Sequence, residues 1–207
     1  MSFASGYRGT AGGSVQTTYT DQPGVAVNGM LAFASDYAQL DSLFIGETLG
    51  IRAGAGVRVL AADEGLGFQR PGEAAYLPEG DEAVGDFAGI VVFDEAMQSD
   101  ENGVPGWAKN RVARILRPGR AGGRVYVKVK DEIVPGTSTV NWVTIPDAAA
   151  KYERGDFCPT ALGGTTAGTS VVLTNAKWVT GADANGIAML ELFGNVVPVL
   201  STDDDSL

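Results

Sequence analysis

Apolar residues in this chain come in short runs, and their spacing is that of strands. From Arg124 to Lys130 the valines Val125, Val127 and Val129 alternate with Arg124, Tyr126, Lys128 and Lys130. A period of two puts the valines on one face of an extended segment and the polar side chains on the other. Val57 and Val59 flank Arg58 in the same way, and Val140 to Ile145 alternates with Trp142 and Val143 on opposite faces. Phe87 to Phe93 is apolar almost throughout, the pattern of a strand covered on both sides. Val25-Ala26-Val27, Met30 to Phe33, Val171 to Leu173, Ala176 to Val179 and Ile187 to Phe193 are further extended candidates. Turn signals separate them, among them Asn28-Gly29, Asp63 to Gly67, Pro135-Gly136 and Gly181 to Gly186.

Two segments carry a helical alternative. In Lys109 to Leu116 the arginines Arg111, Arg114 and Arg117 recur every third residue, which suits one or two helical turns, but the Pro118-Gly119 stop suits a strand equally. Asp147 to Arg154 reads as a short helix opening on an aspartate cap. About nine candidate strands of roughly four to seven residues remain. They predict an all-β fold, an antiparallel sandwich or barrel with at most short helices. The organisation that follows is an extended N-terminal arm over residues 1–24, a β-rich domain over 25–195 and an acidic tail over 196–207. Within the arm, Gln16-Thr17-Thr18-Tyr19 is a β-prone piece suited to adding to another sheet.

Composition supports the strand reading, since 29 glycines and 9 prolines cut up the apolar runs. Charge adds something the pattern does not show. The chain is acidic, net -10, yet residues 107–130 hold eight basic side chains and no acidic one. This strip contains Lys109, Arg111, Arg114, Arg117 and Arg120, followed by Arg124, Lys128 and Lys130. A basic strip in an acidic chain is either paired internally or offered to an acidic partner. Nucleic acid is not the expected partner, because a pI near 4.4 repels phosphate everywhere outside the strip.

The usual reactive chemistry is missing. The chain has no histidine and one cysteine, Cys158, expected to be a small buried hydrophobe in its Phe157-Cys158-Pro159 setting. A Ser-His-Asp or Cys-His mechanism is therefore not encoded in its usual form. The acidic pairs Asp63/Glu64, Asp81/Glu82 and Asp94/Glu95 are adjacent in sequence, and neighbours on a strand point to opposite faces instead of across one cleft. Gly54-Ala55-Gly56 and Gly65-Leu66-Gly67 lack the third glycine of a dinucleotide fingerprint. No cofactor and no metal are expected, and the chain is read as a non-enzyme. The first residues lack the apolar core of a signal peptide and no run of ~18 apolar residues occurs, so neither export by that route nor a membrane is expected.

In order along the chain, Gln16 to Tyr19, Pro23 to Leu31, Ala53 to Val59, Phe87 to Val92, Val112 to Lys130, Ala176 to Val179 and Gly186 to Leu192 resemble the structural cement, or capsid decoration, proteins of bacteriophages. The best match is Leu116-Arg117-Pro118-Gly119-Arg120 followed by Arg124-Val125-Tyr126-Val127. The resemblance covers roughly residues 15 to 193; residues 94–109 and the tail after Phe193 look additional to it. It implies a trimer on the outer surface of the virion capsid that bridges major capsid protein subunits. Gln16, Thr17, Thr18 and Tyr19 of the arm and Lys109, Arg111, Arg114, Arg117 and Arg120 of the strip are the expected contacts. The rival expectations are a tail or fibre module, which would show fibre repeats, and a carbohydrate-binding β-domain, which would gather exposed aromatics on one face.

Overall fold

The computed structural model describes residues 26–34, 39–61, 73–80, 87–94, 96–99, 105–118, 123–146, 151–162, 168–194, 196 and 198–200. Among them there are sixteen strands and no helix. They are β1 (Leu31–Ala34), β2 (Gln39–Ile45), β3 (Ile51–Arg52), β4 (Gly56–Ala61), β5 (Glu73–Tyr76), β6 (Phe87–Val91), β7 (Gln98–Ser99) and β8 (Pro105–Trp107). There follow β9 (Val112–Arg117), β10 (Gly123–Lys128), β11 (Asn141–Ile145), β12 (Phe157–Cys158), β13 (Thr169–Leu173), β14 (Ala176–Trp178), β15 (Ile187–Leu192) and β16 (Pro198–Leu200).

Five strands close a barrel in the order β2-β5-β4-β6-β9, with β9 pairing back to β2. Its alternate residues point inward and fill it: Leu43, Ile45, Val57, Ala75, Val91, Ala113 and Ile115 are buried together. A barrel this narrow has room for side chains only, which is why alanine and β-branched residues occupy it. The other residues of two barrel strands are also buried. Phe87, Ile90, Val92 and Leu116 face outward into a second, larger core.

That larger core is closed by two four-stranded sheets. One runs β1-β10-β15-β14 and contributes Val125, Val127, Ala188, Leu190, Leu192 and Trp178; the other runs β12-β11-β13-β16 and contributes Phe157, Trp142, Val171 and Leu173. The alternation in β10 is as the sequence predicts, with the valines inward. The apolar run at β6 is explained by burial on both faces, Val91 in the barrel and Ile90 outside it. Phe87 and Ile90 share the outer face because a bulge at Ala88, between Phe87 and Gly89, shifts the register against β4. A side chain at Gly89, with φ +152°, would come within 2.3 Å of the Leu116 carbonyl oxygen.

The Asn28-Gly29 turn ties the barrel to the first sheet. Gly29, at φ +81°, donates to Tyr126 O and accepts from Phe93 N, both at 2.7 Å. The Asn28 amide donates to Ala53 O at 2.6 Å, and its oxygen accepts from Lys128 N at 2.9 Å. A Cβ at Gly29 would lie 2.6 Å from Gly54 N, so the turn requires glycine both for its backbone conformation and for space.

One expectation is corrected and one open choice is resolved. Residues 147–150 lie outside the described residues, but 151–156 form bends and a turn, not the end of a helix. There Gly155 adopts φ +84°, donates to Val143 O and accepts from Gly56 N, so tertiary pairing replaces the i to i+4 ladder. The open choice at 109–116 resolves to a strand from Val112, because both edges of β9 are paired within the barrel. The segment 94–109 contains β7 and β8, which join β3 in a small sheet. Val196 is buried and β16 pairs with β13.

Candidate partner-binding surface

Strand β9 sorts its side chains by parity. Ala113 and Ile115 fill the barrel, and Arg117 follows them on the same face at its end. There Arg117 meets Asp41 and Glu73, which share the inward face of their own strands; Nε lies 2.7 Å from Asp41 Oδ2 and an Nη is 3.3 Å from Glu73 Oε2. The contact with Asp41 is an ion pair. Arg117 is thus engaged within the fold, closing the barrel mouth.

The outward row of β9 reads Leu116, Arg114, Val112, and it runs from core to solvent. Leu116 is fully buried, Arg114 is exposed and Val112 is 45% exposed. Across β2 the partners in register are Leu40, Ser42 and Phe44. Leu40 packs on the large core, whereas Ser42 is exposed. Lys109 and Arg111 stand at the turn before β9, where Asn110 takes φ +66° and its N donates to Ile45 O at 2.8 Å. The neighbouring turn carries Leu49, 93% exposed, next to Gly50, whose backbone approaches the Trp107 carbonyl. Lys109, Arg111 and Arg114 make no ion pair among the described residues, so three cations and two exposed apolar side chains share this end of the barrel.

The second half of the basic strip lies on a different element. Arg124, Tyr126 and Lys128 project from the outer face of the first sheet, opposite the core. Glu191 answers part of that charge, pairing with Arg124 and Lys177, each at 3.3 Å. Lys177 also stands 5.2 Å from the Phe193 ring centroid, and Lys130 is 5.7 Å from that of Tyr152. Gln16, Thr17, Thr18, Tyr19 and Arg120 lie outside the described residues.

Groups that usually carry chemistry are tied into packing here. Cys158 is buried and unpaired, and burial pushes its thiol up to about 12. The Asp131 carboxylate accepts from Lys151 and, at 2.7 Å, from the Tyr152 hydroxyl. Burial raises its pKa, but these two hydrogen bonds and the Lys151 charge outweigh that and hold it below the usual carboxylate range. The same burial and contact with Asp131 raise the Tyr152 hydroxyl. Trp142 and Trp178 are in the large core and Trp107 is half-buried against the barrel, so the tryptophans form no exposed stacking face. Among the described residues no three His, Cys, Asp or Glu side chains gather as a metal site. Asp63, Glu64, Asp81, Glu82 and Glu95 lie outside the described residues.

A profile of the structural cement proteins typified by E217 gp24 and Pam3 gp6 matches residues 15–193. The chain belongs to this phage family. The match includes the arm residues Gln16 to Tyr19, the whole basic strip and every strand but β16. A chain from the structure titled "The capsid of Myoviridae Phage XM1" is similar in fold, with a TM-score of 0.54 and 17% identity over 87% of this chain and 95% of that one. No curated protein sequence matches. Nothing in the sequence signalled which arginine the barrel would consume.

Proposed function

We propose that this chain is a decoration protein that binds the outer surface of a phage head, as a homotrimer and without catalytic activity, and ties neighbouring major capsid protein subunits together. Membership of the structural cement family supports the capsid as its place. The observation that carries the contact is the cluster Lys109, Arg111 and Arg114, exposed and without an ion pair among the described residues, beside Val112 and Leu49 in a chain of net charge -10. Exposed cations around apolar anchors fit an acidic protein surface: the charges steer encounter and the apolar contacts hold it. Gln16, Thr17, Thr18 and Tyr19 would add to a sheet of the shell or of a sister subunit, and Arg120 would extend the cationic contact. Several modest contacts on separate subunits suffice, because once one is made the others act at high effective concentration.

Co-sedimentation with empty expanded heads tests the reading. The intact chain is expected to pellet with them, and deletion of residues 1–22 to weaken binding while leaving the melting transition in place. An intact chain that stays in the supernatant would overturn the proposal. Equal binding by the truncated chain would remove the arm from it.

A further inference from the structure

Two turns close one end of the barrel strands, and each is fixed by its backbone. In the first, Gly50 N donates to Glu47 O at 3.1 Å, and Gly50 takes φ +79°. A Cβ there would fall 2.5 Å from the Trp107 carbonyl oxygen, so the close approach requires glycine. In the second, Arg111 N donates to Ala108 O at 3.2 Å, and Ile45 joins the turn to β2 by accepting from Asn110 N at 2.8 Å and donating to Arg111 O at 2.9 Å. The Glu47 carboxylate braces the first turn, accepting from Leu77 N at 3.3 Å and from Arg154 at 3.5 Å. None of these ties uses the Leu49 side chain, and Leu49 stands 93% exposed at the tip. Val27, Val112, Val134 and Ile145, the other exposed large hydrophobic residues among those described, are only 37% to 53% exposed. Lys109 and Arg111 stand exposed on the second turn, whose Ala108 Cα would lie 3.2 Å from that Gly50 Cβ.

From this geometry we infer that Leu49 is a preformed prong that seats in an apolar socket on a capsid subunit, the socket's rim carrying carboxylates that face Lys109 and Arg111. The inference rests on the proposed binding to heads and goes further in naming the anchor and the shape of its receptor. An apolar side chain that projects from a convex turn leaves water only inside a concave apolar site. Complete burial of one leucine is worth roughly ten- to a hundredfold in affinity, and because the turn is already fixed, little conformational freedom is lost on binding. Shape therefore selects the occupant where charge does not. The acidic tail over 201–207 supplies three aspartates but one apolar residue, Leu207, and a single side chain cannot enclose another. A bilayer is equally poorly matched, because membrane-seeking elements insert a row of apolar residues and this tip offers one.

The test measures the full chain on immobilised empty heads. Leu49→Ser is expected to dissociate at least about tenfold faster than the parent, with an unchanged association rate and melting temperature. Val134→Ser, a control at an exposed valine on a different turn, should bind as the parent does. Lys109→Gln combined with Arg111→Gln is expected to slow association instead. Leu49→Cys carrying a benzophenone maleimide, for which the buried Cys158 does not compete, should cross-link to a peptide of the major capsid protein that holds both apolar and acidic residues. Equal dissociation of Leu49→Ser and the parent overturns the prong and leaves head binding standing. A cross-link on bound heads to residues 201–207 or to another copy of this chain overturns the assignment of the receptor. So does binding of the parent to vesicles of phosphatidylcholine and phosphatidylglycerol that Leu49→Ser abolishes. Failure of the parent to bind heads overturns both readings.

Discussion

The barrel interior and the larger core are built from neighbouring residues of the same strands, yet they are packed in different ways. Inside the barrel the side chains are alanine, valine, isoleucine and one leucine, and the mouth is closed by ions. Outside it, the barrel wall and two sheets enclose Trp142, Phe87, Phe157 and Trp178, with Phe87 standing edge-on to Trp142 at 5.2 Å between ring centroids. A small barrel has a fixed radius and accepts only what its tilt and stagger leave room for. The space between layers is set by whatever fills it, so large aromatics can space them. β9 shows the difference within six residues. One of its faces is limited to Ala113 and Ile115, and the other begins in the aromatic core at Leu116 and ends in solvent at Val112.

Removing an aromatic breaks the comparison hardest. Trp142→Ala empties the centre of the larger core and is expected to cost about 3–5 kcal/mol, measured by denaturant unfolding. If the cost is below ~1 kcal/mol, the aromatic layer is not what spaces the sheets. Overfilling the barrel comes next. Ala113→Leu, at a fully buried position, is expected to destabilise by about 1–3 kcal/mol, because the closed wall cannot widen. The smallest effect separates two arginines three residues apart. Arg117→Ala opens the half-exposed ion cluster at the barrel mouth and is expected to lower stability by about 0.5–1 kcal/mol, whereas Arg114→Ala should stay within about 0.5 kcal/mol of the parent. On heads the order should reverse, with Arg114→Ala losing binding and Arg117→Ala keeping most of it. Similar behaviour by both on both measurements would erase the division between the inner and outer faces of β9.

Much of the fold was legible because strands announce themselves locally. The two-residue alternation at β10 and around Val57 and Val59 reports which side of a strand is dry, and the unbroken apolar run at β6 reports that both sides are. The segment at Lys109 to Leu116 was not legible in the same way. Spacing of three between arginines mimics a helix, but Arg111 precedes the strand, Arg114 points out and Arg117 points in. Residues 151–156 likewise took their form from distant partners, Val143 and Gly56, which no local signal names. The paired β16 escaped notice because three residues beside an acidic terminus are too short to show a period.

Sequence alone determined that this chain is β-rich, that it lacks the histidine-based chemistry of common enzymes, and that its basic residues are concentrated in one strip. Each of these follows from residue type and spacing, which act over a few positions. Only the tertiary structure decided that the strip is divided: Arg117 is held by Asp41 and Glu73, Arg124 by Glu191, and Lys109, Arg111 and Arg114 have no ion pair among the described residues. Ion pairing depends on which carboxylates the fold brings within a few ångströms, and those lie 76, 44 and 67 positions away in the chain. Closure of the barrel and stacking of the sheets set those approaches, so which arginines are paired with these carboxylates could be read only once the chain was folded.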